Sequence, residues 1–143
     1  MFVSQILSVK GRKVVSVNRD ATLAEAVDIL MRNNIGAVLV LDEDGMPEGI
    51  LSERDIVRDL ALHGSSVLTR HVSDVMTPNV VTCSVGDSVN DLMSTMTAKR
   101  IRHLPVVDRG RLCGVISIGD VVKYRLEEVE SEANAMREYI ATG

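Results

Sequence analysis

The sequence predicts an α/β (α+β) fold in which two β-α-β-β-α repeats pack about a pseudo-two-fold axis, followed by a long C-terminal helix. Two observations predict it: the 143-residue chain contains an internal repeat, and its apolar residues alternate between strand and helix spacing in each copy. One copy, of about 60 residues, is too small to bury both of its apolar faces. The two copies are therefore expected to pack against each other.

Four segments recur in the same order and with nearly the same spacing. The matching pairs are residues 3–7 with 72–76, 14–16 with 80–82, 35–42 with 101–108, and 49–57 with 114–122. This correspondence predicts a first repeat over residues 3–66, a second over residues 72–130 and a helical extension over residues 131–143.

Each element has a local signal. β-branched runs predict the first strands, apolar residues at helical spacing behind Thr22 and Ser88 predict the first helices, and glycine turns predict the hairpins that follow. Ser52 and Ser117 are expected to cap the second helix of each copy. The strands are predicted over residues 14–17, 37–41 and 48–51 in the first copy and over residues 80–83, 104–107 and 112–116 in the second.

Composition argues against several classes of function. A net charge of −4 argues against general nucleic-acid binding, and 2% aromatic residues with no Trp exclude base-stacking platforms. No apolar run approaches the ~20 residues of a membrane-spanning helix, so no membrane contact is expected. The N-terminus lacks the basic start and apolar stretch of a signal peptide, and a cytoplasmic location is the expectation.

The sequence contains no recognisable catalytic or metal-binding motif. Cys83 and Cys113 lie in apolar, strand-like runs and are expected to be reduced, buried small hydrophobes, with a zinc site or a disulfide as the alternatives. The three histidines are scattered, and no nucleophile–base order, HExxH, Walker loop or GxGxxG occurs. The sequence therefore predicts no enzyme, no metal and no catalytic cofactor.

Two Gly-hydrophobic-hydrophobic-Ser-x-x-Asp signatures, at residues 49–55 and 114–120, and the segment from Arg102 to Pro105 carry a family resemblance. Over nearly its whole length the chain resembles a tandem pair of cystathionine-β-synthase (CBS) domains, also called a Bateman module. It is similar to small proteins that consist of this module alone. The resemblance implies that an adenine nucleotide (AMP, ADP, ATP or NAD(H)) binds in the cleft between the repeats.

The signature residues suit a nucleoside chemically. Ser52 and Ser117 each end a strand and cap a helix, where the hydroxyl and free backbone N–H groups form an anion-binding corner. Asp55 and Asp120, three residues further on, can accept hydrogen bonds from a ribose diol, and the resemblance implies that role. The alternative is a plain capping box, in which each Asp only satisfies the helix N-terminus.

The predicted cleft is unequal between the copies. Arg102 and His103 precede the middle strand of the second copy, a place that the resemblance puts against nucleotide phosphates, whereas the first copy has Gly36 and Ala37 there. We therefore expect unequal affinities at the two sites. A solvated Arg102 and an ordinary hydrogen-bonded His103 are the alternatives.

Several further candidates have weaker signals, because a solvated loop or a core position would explain each of them equally well. They are Arg54 and its counterpart Gly119 in the signatures, Pro105 as an apolar wall for adenine, Ser16 and Thr82 at the base edge, and Lys13 in a longer cationic loop that could reach further phosphates.

The C-terminal helix is expected to support a homodimer. Between Gly119 and residue 140 there is no Pro and no further Gly, and six apolar residues recur at alternating steps of four and three. They are Val122, Leu126, Val129, Ala133, Met136 and Ile140. This stripe is longer than one small domain needs, so a contact between two copies is expected; the alternative is a helix folded back over its own chain.

These observations predict a regulatory module that senses an adenine nucleotide and signals energy or redox state to a partner. A nucleotide in the cleft would bridge the two copies and shift their arrangement by its differential affinity for the two states. Because no effector domain is recognisable in these residues, the effector is expected to be a separate protein. The alternative is a structural or interaction protein whose nucleotide sites are vestigial.

Overall fold

Two small sheets carry the fold in the computed structural model, which describes residues 1–142. The strands are β1 (Ser16–Asn18), β2 (Ala37–Leu41), β3 (Pro47–Ser52), β4 (Thr77–Pro78), β5 (His103–Asp108) and β6 (Arg111–Ser117). The first sheet has the order β1-β2-β3-β4, with β1 parallel to β2 and the other neighbours antiparallel. The second sheet is the antiparallel hairpin of β5 and β6.

Helices pack around both sheets. They are α1 (Val3–Lys10), α2 (Leu23–Asn33), α3 (Glu53–His63), α4 (Val72–Val75), α5 (Val89–Lys99) and α6 (Ile118–Thr142), with a 3₁₀ segment at Gly64–Thr69. The helices α2 and α5 begin where predicted. The side chains of Thr22 and Ser88 cap them by accepting hydrogen bonds from the N–H groups of Glu25 and Asp91. The predicted α/β fold of two repeats with a long C-terminal helix is confirmed.

One predicted strand is wrong. Residues 80–83 form no strand, and only Cys83 bridges to β5, donating its N–H to Pro105 O and accepting from Val107 N–H, both at 2.9 Å. The chain just before this run, β4, pairs instead with the edge of β3 in the other sheet. The β-branched run therefore enters the second repeat without a continuous ladder beside β5.

The first strand of the first repeat is shorter than predicted. β1 begins at Ser16 rather than at residue 14, and it pairs in parallel with β2 over three residues. Val14 and Val15 precede it as irregular chain and line the space between the repeats. These two residues are part of a cleft wall and not of the sheet.

The helix at the start of each repeat packs into the core of the other repeat. α1 contributes Val3, Ile6 and Leu7 to the core that β5, β6, α5 and α6 form. α4, at the start of the second repeat, contributes Val72 to the core that β1, β2, β3 and α2 form. Each core is thus completed by the segment with which the other repeat begins.

Two glycines make room for the exchanged segments. Gly114 in β6 faces Leu7, and a Cβ built on Gly114 would lie 2.8 Å from Leu7 Cδ2. Gly49 in β3 faces the side chain of Met76, which follows α4, in the corresponding way. The glycine that opens each Gly-hydrophobic-hydrophobic-Ser-x-x-Asp signature therefore has a packing role that does not involve a ligand.

The C-terminal helix is anchored along one face and extends past the second core. Val121 and Tyr124 are buried in that core, whereas the apolar residues of the predicted stripe face outward. The helix therefore does not fold back over its own chain. Gly143, the last residue of the predicted extension, lies outside the described residues. Within residues 1–142, no helix combines the length and the apolar character that a membrane crossing requires.

The close approach of Gly114 to Leu7 predicts a coupled effect of substitutions. We expect Gly114→Ala to lower the free energy of unfolding by about 1–3 kcal/mol, because the added methyl overpacks the site. In a Leu7→Ala background the same change should cost much less, since the truncated side chain leaves room for the methyl. Urea denaturation of the two single variants and the double variant measures this coupling.

Gly86→Ala is the matched control for the comparison of the single and double variants, because a Cβ at Gly86 would meet no atom within 4 Å. Its cost should be small and the same in both backgrounds. An equal cost of Gly114→Ala with and without Leu7 would contradict the packing of α1 against β6.

Candidate functional site

A cleft of about 320 Å³ lies between the two repeats. One side is formed by the chain from the end of α1 towards β1 and by the start of β2. The other side is formed by the start of β5 and the end of β6. The lining residues are Lys10, Lys13, Val14, Val15, Ile35, Gly36, Ala37, Val38, Leu39, Ile50, His103, Val115 and Ser117. Apolar walls with a few polar groups are typical of small-molecule sites.

Three groups hold the carboxylate of the second signature. Asp120 Oδ2 accepts hydrogen bonds from Ser117 N–H and Ser117 Oγ, both at 2.9 Å, and from Lys10 Nζ at 2.5 Å. Lys10 Nζ also donates to the carbonyl oxygen of Val115 at 2.7 Å. Burial raises the pKa of the Asp120 carboxyl, but the hydrogen bonds from Lys10 and Ser117 bring the pKa below its ordinary value. Asp120 is therefore ionised at neutral pH.

The first signature has the same capping geometry without the lysine. Asp55 Oδ2 accepts hydrogen bonds from Ser52 N–H and Ser52 Oγ at 3.0 Å each, and Asp55 N–H donates to Ser52 Oγ at 3.2 Å. The repeat correspondence puts Asn79 at the place of Lys10. One signature carboxylate is thus paired with a cation, while the other, among the described residues, has only its serine.

Each signature helix is tied to the loop before the middle strand of its own repeat. Glu53 N–H donates to the carbonyl of Gly36 at 2.9 Å, and Ile118 N–H donates to the carbonyl of Arg102 at 2.8 Å. These bonds place the two pre-strand loops beside the signature serines. They also satisfy one N–H group at the start of each helix.

His103 begins β5, and its half-buried side chain borders the cleft. Burial lowers the pKa of the His103 imidazole, and the charge of Lys10 lowers this pKa further. The charge of Asp120 raises the pKa, and the charge of Arg102 lowers it. The ring is therefore neutral at pH 7. An anion bound in the cleft would favour its protonation, because the added negative charge stabilises the imidazolium.

The structure gathers only part of the predicted site residues at this cleft. Five of them line it directly: Lys13, Gly36, Ala37, His103 and Ser117. Asp120 adjoins it through its bonds to Ser117 and Lys10. The predicted residues outside the lining are Ser16, Ser52, Arg54, Asp55, Thr82, Arg102, Pro105 and Gly119. By the repeat correspondence, Ser52 and Arg102 occupy the places of Ser117 and Gly36, so they belong to the symmetry-related position at the first signature.

Lys10 is a site residue that sequence reasoning missed. The loop from Lys10 to Lys13 was identifiable as cationic, but sequence order assigns it to the first repeat. Because α1 packs into the second core, its last residue reaches the second signature instead. The signal that could have found it is the mismatch between Lys10 and Asn79 at equivalent positions.

The two cysteines take no part in the site. Both are free thiols, and Cys83 is buried. Burial, with a smaller contribution from the charge of Asp87, raises the pKa of the Cys83 thiol to about 12. Cys83 therefore stays protonated and unreactive. In the part of the chain that the structure describes, no group of His, Cys, Asp and Glu side chains is placed to hold a metal ion.

Comparison with known proteins identifies the family. The model of the CBS domain matches residues 3–62 and 72–127. A CBS domain-containing mitochondrial protein of Arabidopsis thaliana is 32% identical over 149 residues, which cover 99% of this chain and 72% of that protein. The crystal structure of a CBS-domain-containing protein from Agrobacterium tumefaciens matches with a TM-score of 0.84 at 48% identity, over 87% of this chain and 99% of that one. The chain belongs to the CBS-domain family, and its repeats are two CBS domains.

Two other solved CBS structures contain ligands. A CBS domain protein from Pyrobaculum aerophilum is complexed with AMP; it matches at 30% identity and a TM-score of 0.74, over 84% of this chain and 89% of that one. The CBS domain pair of the protein MJ0100 is complexed with 5′-methylthioadenosine and S-adenosyl-L-methionine. It matches at 26% identity and a TM-score of 0.78, over 90% of this chain and 98% of that one. These two relatives therefore bind adenosine derivatives.

The ion pair at the cleft predicts a difference in acid stability. The lowered pKa of Asp120 contributes stability above the ordinary aspartate pKa, and this contribution is lost as pH falls through the folded-state pKa. Lys10→Met removes one cause of the lowering. The free energies of unfolding of the wild type and Lys10→Met should therefore converge on acidification from about pH 5 to pH 3, as measured by urea denaturation.

Lys13→Met is the control. It removes a second lysine that lines the cleft, and Lys13 forms no ion pair among residues 1–142. Its difference from the wild type should stay constant over the same pH range. A Lys10→Met difference that also stayed constant would show that Lys10 does not hold Asp120 ionised.

Proposed function

We propose that this protein is a regulatory module that binds an adenine nucleotide between its CBS repeats and passes the bound state to a separate effector protein. The observation that carries the proposal is the convergence of Lys10, Lys13 and His103 on the Ser117–Asp120 signature at one cleft. The cleft offers apolar walls for a purine, an ionised carboxylate for a ribose diol and cationic groups for phosphate. The AMP complex of the Pyrobaculum relative supports this ligand class.

The charge of the cleft favours a phosphorylated ligand over a sulfonium compound. Two lysines and a histidine line it, and none of its lining residues is acidic. Asp120, the carboxylate bonded to the lining residue Ser117, is already paired with Lys10. A nucleotide phosphate therefore gains attraction here, whereas S-adenosylmethionine would bring a further positive charge to a cationic wall. AMP, ADP, ATP and NAD(H) are the proposed ligands, with no catalytic step.

Lys10 gives this site a preference for phosphate over the bare nucleoside. In the ligand-free cleft its ammonium group is bonded to the Asp120 carboxylate, the group that the ribose hydroxyls would approach. A nucleotide that supplies its own anion offers Lys10 a second partner, so the ammonium group can turn from Asp120 to phosphate. Adenosine offers no such exchange and must compete with the ion pair.

A structural or interaction protein with vestigial sites is the second candidate. The capping geometry favours it, because Oδ2 of Asp55 and Oδ2 of Asp120 each already accept two hydrogen bonds within their own signatures. These capping hydrogen bonds form without a ligand. Under this reading no nucleotide binds, and the signatures serve only to begin α3 and α6.

We include a homodimer in the proposal. The six apolar residues of the predicted stripe on α6 are exposed in the single chain. A second copy that covers them would remove apolar surface from water, which stabilises association. A nucleotide-dependent change in this dimer is the signal that the effector would read.

Loss of one signature carboxylate should remove one nucleotide site. Calorimetric titration of the wild type with AMP, ATP and NADH should detect binding to at least one of them, and Asp120→Ala and Asp55→Ala should each abolish binding at one site. The carboxylate is the acceptor for the ribose hydroxyls, so its loss removes charge-assisted hydrogen bonds. Thermal shift with each nucleotide checks the same result independently.

Asp91→Ala serves as the control, since Asp91 has the same capping role at the start of α5 but lies outside the signatures. It should keep the wild-type stoichiometry. Binding of none of the nucleotides to the wild type would favour the vestigial reading, and unchanged stoichiometry in both signature variants would refute the residue assignment.

Removal of the Lys10 charge should narrow the preference for AMP over adenosine. Lys10→Met is expected to weaken AMP binding by roughly tenfold or more, the range of a charge-assisted hydrogen bond. Adenosine binding should stay the same or improve, because its competitor for Asp120 is gone. Parallel calorimetric titrations of both ligands measure the ratio.

Arg32→Met is the control for net charge, because Arg32 is exposed on α2 and does not line the cleft. It should leave both affinities unchanged. An equal loss for AMP and adenosine in Lys10→Met would mean that the lysine supports the shape of the cleft and does not select phosphate.

A further inference from the structure

The apolar stripe of α6 lies on the side of the helix that its own core leaves uncovered. Val121 and Tyr124 are the buried residues of α6. At 100° per residue, both lie well away from the line through Val122, Leu126 and Val129. In heptad notation the core contacts fall at c and f, while the stripe occupies a and d. The stripe and the protein core therefore do not compete for the same face.

The last part of α6 has no neighbour within its own chain. Every residue from Glu130 to Thr142 is exposed, including Met136 at 60% and Ile140 at 71% of their surface. A helix of this length is marginal in water when nothing packs against it. Its apolar residues repeat in register with those of the anchored part, so one straight surface runs along the whole helix.

We propose that this surface pairs with the same surface of a second copy as a parallel, in-register coiled coil. The proposal rests on the homodimer proposed above and adds its geometry: like residues face like residues across a two-fold axis parallel to α6. The a positions are Leu126, Ala133 and Ile140, and the d positions are Val122, Val129 and Met136.

Charge complementarity selects the parallel arrangement. In a parallel pair, each g residue faces the e residue of the next heptad in the partner. Arg125 at g then faces Glu130 at e, and Glu132 at g faces Arg137 at e. The two-fold axis doubles each pair, so all four of these contacts join opposite charges.

The antiparallel arrangement with the same apolar layers brings like charges together. With Val129 opposite Ala133, e faces e and g faces g. Glu130 would then face Glu130, Glu132 would face Glu132, and Lys123 would face Arg137. These contacts repel, so the flanking residues favour the parallel pair and oppose the antiparallel one.

The charged residues that flank the stripe beyond Glu130 are available for these contacts. Glu132 and Arg137 are exposed and form no ion pair within residues 1–142. Arg125 is already bonded to Glu128 within the chain, through Nη1 at 3.1 Å. The Glu132–Arg137 contact is therefore the cleaner of the two to test.

Disulfide trapping distinguishes the arrangements directly. In a Cys113→Ser background, which leaves only the buried and unreactive Cys83, Ala133→Cys should oxidise to a covalent dimer through residue 133 of both copies. An equimolar mixture of the Val129→Cys and Ala133→Cys proteins should give homodimers and not the mixed 129–133 species. Non-reducing electrophoresis and mass spectrometry identify the products, and light scattering gives the oligomeric state of the unmodified protein.

Three outcomes are decisive. A dimer with the 133–133 disulfide supports the parallel pair. A dimer that gives only the mixed 129–133 disulfide, or none, overturns the geometry while leaving the homodimer intact. A monomer overturns both the geometry and the homodimer. The nucleotide titrations test the binding proposal and do not depend on this result.

Charge exchange on the helix gives a second, independent measurement. Glu132→Arg and Arg137→Glu should each weaken the dimer about tenfold, because two attractive contacts become repulsive. The double variant should restore wild-type association. Glu138→Arg, at the f position, is the matched control and should have no effect. Failure of the double variant to recover would overturn the assigned contacts, with circular dichroism verifying that each variant is folded.

Discussion

The exchange of leading helices between the two CBS domains is the constraint on which the rest of the structure depends. α1 closes the core of the second domain and α4 closes that of the first, so neither domain buries its apolar residues without its neighbour. The cleft follows from this exchange, because the chain leaving α1 must cross from one domain to the other before it enters β1. The fold therefore also builds the site, because the chain that crosses between the domains from α1 to β1 forms one wall of the cleft.

The same crossing explains the inequality of the two signatures. Ser52–Asp55 and Ser117–Asp120 are nearly identical in hydrogen-bond geometry, so these capping bonds do not distinguish the sites. The difference lies in what the crossing chain delivers: Lys10 reaches Asp120, whereas Asn79 stands at the equivalent place in the other crossing. A single residue outside both signatures thus pairs one signature carboxylate with a cation.

The sequence alone predicted most of the fold because the repeat supplied each signal twice. The capped helices, the glycine turns and the signature geometry are local features, and local features are what periodicity and capping rules detect. The strand predicted over residues 80–83 was wrong because its pairing depends on where β4 goes, a tertiary choice. Lys10 was missed for the same reason: its partner is 110 residues away, in a domain that sequence order assigns to the other repeat.

Asp120 and the C-terminal stripe belong to the same helix, and this has a mechanical consequence. α6 starts one residue after Ser117, at the edge of the cleft, and continues without interruption for 25 residues. At 1.5 Å per residue it is about 37 Å long, so a tilt of about 5° at its base displaces its tip by about 3 Å. The helix is thus a lever arm whose fulcrum is the second core: rearrangement at the short end is geometrically amplified at the long end.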